Sequence, residues 1–254
     1  MLKFVEKPFH IPAERGLIGK YCILPGAPER VEQIARELEA PVFIGSNREF
    51  TIWNGKLNGN LVSVCSTGIG GPSTAIAAEE LADCGAEVMI RVGTCGGIDT
   101  RVKSGDMVVA SGAVRQDGTS HEYAPPEFPA IPDARVLFAL ANAAGRSGVP
   151  SHIGVVQSKD SFYGQHSPER MPVASRLAEQ WEAWKRLGVL ASEMEAAALF
   201  TVGAARGIAT GAIFHVIWNQ ERVRAGLDTV ENKSYDTSAA IRVAVDAIRE
   251  LAKG

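Results

Sequence analysis

The chain has 254 residues, of which 46% are hydrophobic and 22% charged, and its formal net charge is −3. That is enough apolar material for one α/β domain with a large core, and the slightly acidic balance without a long basic run argues against nucleic acid as a partner. No apolar run approaches the ~20 residues that a membrane-spanning helix needs, which argues against a membrane partner.

Residues 1–16, MLKFVEKPFHIPAERG, carry acidic residues and two early prolines. They do not read as a secretory signal, so a cytoplasmic protein is expected. A β-branched run at 21–24 predicts the first strand, and a helix follows at 28–38. Strand-like runs at 42–44 and 61–65 lead to a helix at 73–84. A strand at 88–92 and another at 107–114 precede a helix at 133–147. A strand at 152–156 is followed by helices at 172–187 and 193–206. The series closes with a strand at 213–217 and a helix at 236–252. Strands alternating with helices predict an α/β fold with a mixed, largely parallel central sheet flanked by helices. No repeat or linker divides it, so residues 1–254 are expected to form a single domain.

The segment between the strand at 61–65 and the helix at 73–84 reads Ser66-Thr67-Gly68-Ile69-Gly70-Gly71-Pro72. Glycines between a strand and a helix N-terminus let backbone N–H groups approach an anion or a sugar. The spacing is not that of a dinucleotide loop: Ser73 stands where a third glycine belongs, and Arg91 interrupts the next strand where an acidic residue should end it. No lysine follows the glycines, which excludes a P-loop. The four cysteines, Cys22, Cys65, Cys84 and Cys95, form no C-x-x-C pair and read as buried free thiols. The five histidines lack metal-ligand spacing, and G-x-S-x-G is absent.

Ligands of parallel sheets collect at the carboxyl ends of strands. The post-strand segments here hold Gly26 and Arg30, the glycine loop, Thr94 and Gly96, Phe162 and Gln165, and Trp218. Arginines, a threonine hydroxyl and glycine amides at one sheet edge fit an oxyanion, because a guanidinium gives paired, charge-assisted hydrogen bonds. Arg30 is equally well a surface residue of a first helical turn. Arg91 lies inside an apolar strand, so it must be ion-paired or face a pocket. Glu193 and Glu195 flank a helix start, where carboxylates cap the dipole, or they grip the vicinal hydroxyls of a sugar. Phe162 is either core or a stacking surface for a flat heterocycle.

With these residues the chain resembles the nucleoside phosphorylases of the uridine/purine phosphorylase type. The resemblance rests on Pro25-Gly26-x-Pro28-x-Arg30-Val31, Arg48-Glu49-Phe50-Thr51, the glycine segment 66–81, Arg91-x-Gly93-Thr94, Arg115-x-Asp117-Gly118, Phe162-Tyr163 and Glu193-Met194-Glu195. It implies phosphate binding by Gly26, Arg30, Arg91 and Thr94, with Arg48 supplied by a neighbouring subunit. It implies ribose binding by Met194 and Glu195 with Glu193 close by, and by His10 across a dimer interface. Phe162 and Gln165 would hold the base, with Gly96 lining the pocket and Arg170 a candidate for a displaced base-facing arginine, alongside His166 and Arg222. Glu49, Ile69 and Ser73 match a monovalent cation (K+) site between subunits. Inorganic phosphate would be a co-substrate, no cofactor would be required, and the chain would form a homo-oligomer built from dimers, a hexamer.

The reaction so implied is attack of phosphate on C1′ of a nucleoside, with Arg30, Arg91 and Glu195 as the groups that drive it. Phosphate is nucleophile and electrostatic stabiliser of an oxocarbenium-like ribosyl group, while donors at the base take up the leaving charge. Purine-cleaving relatives carry an aspartic acid after the last strand; here the residues are Ile217-Trp218-Asn219-Gln220. An amide is no general acid, which favours a pyrimidine. The competing expectations are purine phosphorolysis, hydrolysis by a nucleosidase, and nucleoside binding without catalysis.

Overall fold

The computed structural model describes residues 8–253, so residues 1–7 lie outside the described residues, while His10 is within them. Nine strands are described: β1 (Tyr21–Pro25), β2 (Glu39–Asn47), β3 (Phe50–Leu57), β4 (Asn60–Cys65), β5 (Val88–Gly97), β6 (Met107–Gln116), β7 (Ser151–Lys159), β8 (Ala191–Glu193) and β9 (Ala209–Asn219). The helices are α1 (Glu29–Ala35), α2 (Gly71–Asp83), α3 (Thr119–Tyr123), α4 (Ala134–Arg146), α5 (Phe162–His166), α6 (Ala174–Arg186), α7 (Ala196–Arg206), α8 (Gln220–Arg224) and α9 (Ser238–Leu251).

The strands form one sheet in the order β2-β3-β4-β1-β5-β8-β7-β6-β9, and β9 also pairs with β5. One half of the sheet therefore closes on itself, while β1, β4, β3 and β2 extend from it as a wing. Pairs β1–β4, β1–β5, β5–β9, β6–β7 and β7–β8 are parallel; β2–β3, β3–β4, β5–β8 and β6–β9 are antiparallel. The expected mixed α/β sheet is present, as are all seven expected strands.

Side chains alternate across a strand, so a strand covered on both faces is apolar throughout. In β1, Cys22 and Leu24 pack with α2 and α7, whereas Tyr21 and Ile23 pack with α1, α4 and α9. In β5, Ile90 and Val92 share the second face, and Met89 the first. Alternation therefore sets Arg91 on the face of α2 and α7, the helices that begin at the glycine loop and beside Glu195. Helix α7 is buried on almost every side through Ala196, Leu199, Phe200 and Val202. It ends on Gly207 in the left-handed conformation (φ 67°), a common C-terminal stop.

Two strands escaped the sequence analysis. Strand β3 contains Asn54 and Gly55 mid-strand, which break the apolar signal. Asn54 is satisfied there: it donates to the Leu17 carbonyl and accepts from the Ser63 hydroxyl. Strand β8 has three residues, too few for any periodicity. It takes up Glu193, expected to start the helix at 193–206, and α7 begins at Ala196 instead. The four cysteines are free and buried, as expected.

Candidate active site

Strands β1, β4, β5 and β8 bring their ends to one cavity of about 780 Å³. It is lined by Gly26, Arg30, Arg91, Thr94, Gly96, Phe162, Glu193, Met194 and Glu195 among the expected residues, with Glu49 and Ile69 at its edge.

The glycines are close-approach positions. The Gly68 N–H donates to the Gly26 carbonyl at 3.0 Å, zipping the loop after β4 to the loop after β1. A Cβ on Gly26 would lie 3.2 Å from the Gly68 carbonyl oxygen and 3.9 Å from Arg91 Nη1. Gly68 has φ +67°, and a Cβ there would come within 2.8 Å of the Glu49 side chain. Gly70 has φ +90° and donates its N–H to Glu195 Oε1 at 2.7 Å. That amide of the glycine loop thus already meets a carboxylate of the protein.

Arg91 is 5% exposed and lies between two buried carboxylates. Its Nη2 pairs with Glu195, and its Nε lies 3.4 Å from Glu193 Oε2, an ion-pair distance without hydrogen-bond geometry. Its Nη1 is buried with no partner, as is Nη1 of Arg30 from the first turn of α1. Burial pulls the pKa of Arg30 down, and the neighbouring Arg91 charge pulls it down further. Two arginines with unanswered guanidinium N–H donors therefore line the same cavity, and leaving such buried donors without an acceptor is costly.

The two carboxylates differ. Glu193 accepts the backbone N–H groups of Glu195 and Ala196 and the Ser158 hydroxyl, so it caps the first turn of α7. Burial raises its pKa, and the Glu195 charge raises it further. Glu195 holds Arg91 and Gly70 and lines the cavity.

A second group gathers around Phe162, the first residue of α5, which is half exposed. His166 packs on it with ring centroids 4.4 Å apart. Its pKa is lowered to about 4, first by burial and then by the Lys159 charge, so the ring is neutral at physiological pH. Lys159 ends β7 and is 6% exposed. Its ammonium donates to the Ser192 hydroxyl oxygen at 2.7 Å and lies 6.0 Å from the centre of the Phe162 ring. Lys159, Ser192, Lys233 and Tyr235 line the cavity and were missed as ligand-facing residues, whereas Trp218, noted at the end of the last strand, lines it as well. A lysine just beyond an apolar strand gave the same kind of signal as Arg91 and could have identified Lys159.

Other expected residues stand apart from the cavity within this chain. Arg48 is exposed at the β2–β3 turn with φ 53°. His10 Nδ1 is 2.7 Å from Glu80, which also accepts the His10 backbone N–H. Gln165 lines a neighbouring cavity, and its side-chain oxygen accepts from Ser192. Arg170 is exposed with its guanidinium 5.9 Å from the Tyr163 ring, and Arg222 donates to the carbonyls of Thr100 and Leu227. Ser73 donates to Glu49 Oε1 at 2.8 Å, and Ile69 is 78% exposed beside the cavity. No group of three or more His, Cys, Asp or Glu side chains that could hold a metal occurs among the described residues. Asn219 is saturated: its amide donates to the carbonyls of Asp99 and Val102 and accepts the N–H groups of Glu221 and Arg222.

A family model described as "Phosphorylase superfamily" matches residues 20–249. The chain is 51% identical over 243 residues to a uridine phosphorylase of Treponema pallidum, covering 96% of this chain and 93% of the relative. It is 42% identical over 233 residues to a uridine phosphorylase of Escherichia coli, covering 91% of each. It is 36% identical over 252 residues to a guanosine phosphorylase of Halorubrum lacusprofundi, covering 97% of this chain and 100% of the relative.

Proposed function

The chain belongs to the phosphorylase superfamily, and from that membership and the cavity we propose that it catalyses the reversible phosphorolysis of uridine to uracil and ribose 1-phosphate. The observation that carries this reading is that Arg30 and Arg91 line one cavity and that each keeps a buried Nη1 with no hydrogen-bond partner. Phosphate is the dianion that answers them, with Gly26 and Thr94 completing its cradle and Arg48 arriving from a neighbouring subunit. Gly26 lacks the Cβ that would crowd the Gly68 carbonyl oxygen, 3.2 Å away, where the two loops meet.

Ribose lies against Met194 and Glu195, with Glu193 holding the start of α7 in place. The Glu195 carboxylate accepts from sugar hydroxyls while its ion pair with Arg91 links sugar position to phosphate position. The base stacks on Phe162 beside Gly96. Bringing phosphate and C1′ together in a fixed geometry removes most of the entropic part of the barrier. Phosphate attacks C1′, the C1′–N bond breaks, and its electron pair leaves on the base. Deoxyuridine and thymidine are further substrates under this reading, which places the enzyme in pyrimidine nucleoside salvage.

The single domain 1–254 works in the cytoplasm as a hexamer of dimer units in which Arg48 and His10 reach a neighbour's site. A potassium ion held by Glu49, Ile69 and Ser73 between subunits belongs to the same reading, supported by the Ser73–Glu49 hydrogen bond.

One relative is a guanosine phosphorylase, so purines belong in the test. The purine reading needs an acid after β9, and Asn219 is an amide whose hydrogen bonds are all spent on backbone. The test measures free base released from uridine, thymidine, inosine and adenosine, each with and without phosphate. Uracil release that is strictly phosphate-dependent is expected. Release without phosphate would make the protein a nucleosidase, and preferential cleavage of inosine would overturn the pyrimidine assignment.

A further inference from the structure

The Phe162 end of the cavity contains a cation that the phosphate cradle does not use. Lys159 closes β7, and its side chain is taken out of water by β8 and α5. Its ammonium donates to Ser192 Oγ at 2.7 Å and lies 3.4 Å from the Glu193 carbonyl oxygen. Ser192 in turn donates to Gln165 Oε1, so the chain Lys159–Ser192–Gln165 fixes which end of the Gln165 amide points away from the serine. Among the described residues no carboxylate forms an ion pair with Lys159, and two of its three N–H bonds account for the protein contacts. An ammonium buried beside an aromatic face and a flat-ligand cavity, without a carboxylate of its own, is placed to meet an anion that is present only part of the time.

We propose that Lys159 is the leaving-group residue of this cavity: its third N–H faces a ring carbonyl of bound uracil and stabilises the charge that arrives there as the glycosidic bond breaks. The proposal rests on the phosphorolysis reading above. In the step, a phosphate oxygen forms a bond to C1′ as the C1′–N1 bond breaks. The electron pair of that bond moves onto the ring and spreads over its carbonyl oxygens. Lys159 donates a hydrogen bond and keeps its proton, and the uracil anion takes a proton from water on release. A charged donor fixed in a dry site acts most strongly where charge develops, so it lowers the barrier more than it tightens ground-state binding.

The groups around the ammonium set its titration. Glu193 of β8 and Glu195 at the start of α7 favour the charged form, and Cys95 of β5 acts in the same direction; His166 of α5 packs nearby and is neutral. Burial outweighs them and lowers the Lys159 pKa to about 8. The protonated form is the active one, so the rate should fall as pH rises through about 8.

The test compares Lys159→Met with the parent on uridine and on 5-fluorouridine, whose ring carries the leaving charge more easily. Loss of one such donor costs on the order of 10²–10³ in kcat for uridine. The expected loss for 5-fluorouridine is much smaller, the phosphate KM is unchanged, and the basic limb near pH 8 disappears. Lys159→Arg keeps a cation that does not titrate in this range, so it should retain the fluorouridine discrimination of the parent and lose the limb. Should Lys159→Met not fold, the Lys159→Arg pH profile alone decides. Equal losses on both nucleosides, or a limb that persists in both variants, would overturn the role of Lys159 while leaving phosphorolysis intact. A parent enzyme that releases no uracil with phosphate would instead overturn the reaction itself.

Discussion

Replacing Arg91 by leucine removes the cation that is ion-paired with both Glu193 and Glu195, whose exposures are 3% and 4%. Removing one partner from a buried ion pair costs about 3–5 kcal/mol, because the remaining charge is left uncompensated. Both carboxylates keep some partners: Glu193 retains two backbone N–H groups and the Ser158 hydroxyl, and Glu195 retains the Gly70 N–H. The lower end of the range, about 3 kcal/mol, is therefore expected, which corresponds to a fall in Tm of roughly 10 °C for a chain of this size. The sign of the pH dependence follows from Glu193. Its folded pKa is already raised above the ordinary 4.5 by burial, and the Arg91 charge is the foremost of the influences that hold it down, ahead of the Ser158 hydroxyl and the Glu195 N–H. Without Arg91 it rises further, so the carboxylate destabilises the folded state at high pH and that cost relaxes as pH falls and the group protonates. Urea unfolding at pH 8, 6.5 and 5 should show a deficit that shrinks toward acid. In the same variant, phosphate use should collapse while uracil binding, measured by calorimetry, weakens far less. A deficit below about 1 kcal/mol that does not vary with pH, or equal losses of phosphate and uracil affinity, would refute this account of Arg91.

Lys159→Met should raise stability while lowering activity: with the ammonium pKa near 8 instead of 10.5, its burial costs the folded state about 3 kcal/mol at neutral pH. The folded state binds this proton more weakly, so the gain from the variant is full below about pH 8 and fades toward pH 10, which a denaturation series across that range checks. Asn219→Asp sets a carboxylate against the Asp99 and Val102 carbonyls and should cost about 2 kcal/mol or more without creating inosine cleavage, readable from one melting curve and one base-release assay. Gly93→Ala puts a Cβ 2.8 Å from the Phe214 ring and should lower Tm by several degrees, as scanning calorimetry would show. Dilution until the oligomer dissociates should abolish turnover if Arg48 and His10 complete a neighbour's site; a fully active monomer, seen by activity and light scattering at matched concentrations, would exclude the shared site.

Where the chain was legible, a single physical rule made it so. Arg91 could be identified because a charge inside Val-Met-Ile-Arg-Val must be compensated, and the structure supplies the two carboxylates and the cavity. The glycine loop could be identified because positive φ and close backbone contact demand glycine, as at Gly68 and Gly70. Glu193 was ambiguous for a good reason, since its geometry is that of a cap and its neighbour Glu195 faces the ligand space. Lys159 was passed over because the apolar run ends at residue 156, while β7 continues to residue 159. Beyond the apolar run a lysine resembles a solvated surface charge, and only the packing of β8 and α5 shows that it is not. Strand β3 was hidden by Asn54, a polar residue made tolerable in the sheet by Ser63 opposite it on β4 and by the carbonyl of Leu17, which is distant in sequence.

The lining residues also constrain what kind of catalyst this cavity can be. A covalent route needs a nucleophile beside a base that can activate it. The Cys95 thiol is pushed far above its ordinary pKa by burial. Ser192 donates its proton to Gln165 and accepts from an ammonium, the opposite of activation. Glu193 spends its oxygens on backbone N–H groups and a hydroxyl, and Glu195 on Arg91 and Gly70. The cationic groups at its two ends are donors, namely the guanidinium groups of Arg30 and Arg91 and the ammonium of Lys159. Such a site can hold anions and stabilise charge as it develops, but the nucleophile must come with the substrates. An incoming dianion at the arginines and an outgoing base at the lysine give both sets of donors a partner, and the sugar between them is held by the carboxylate that ties Arg91 in place.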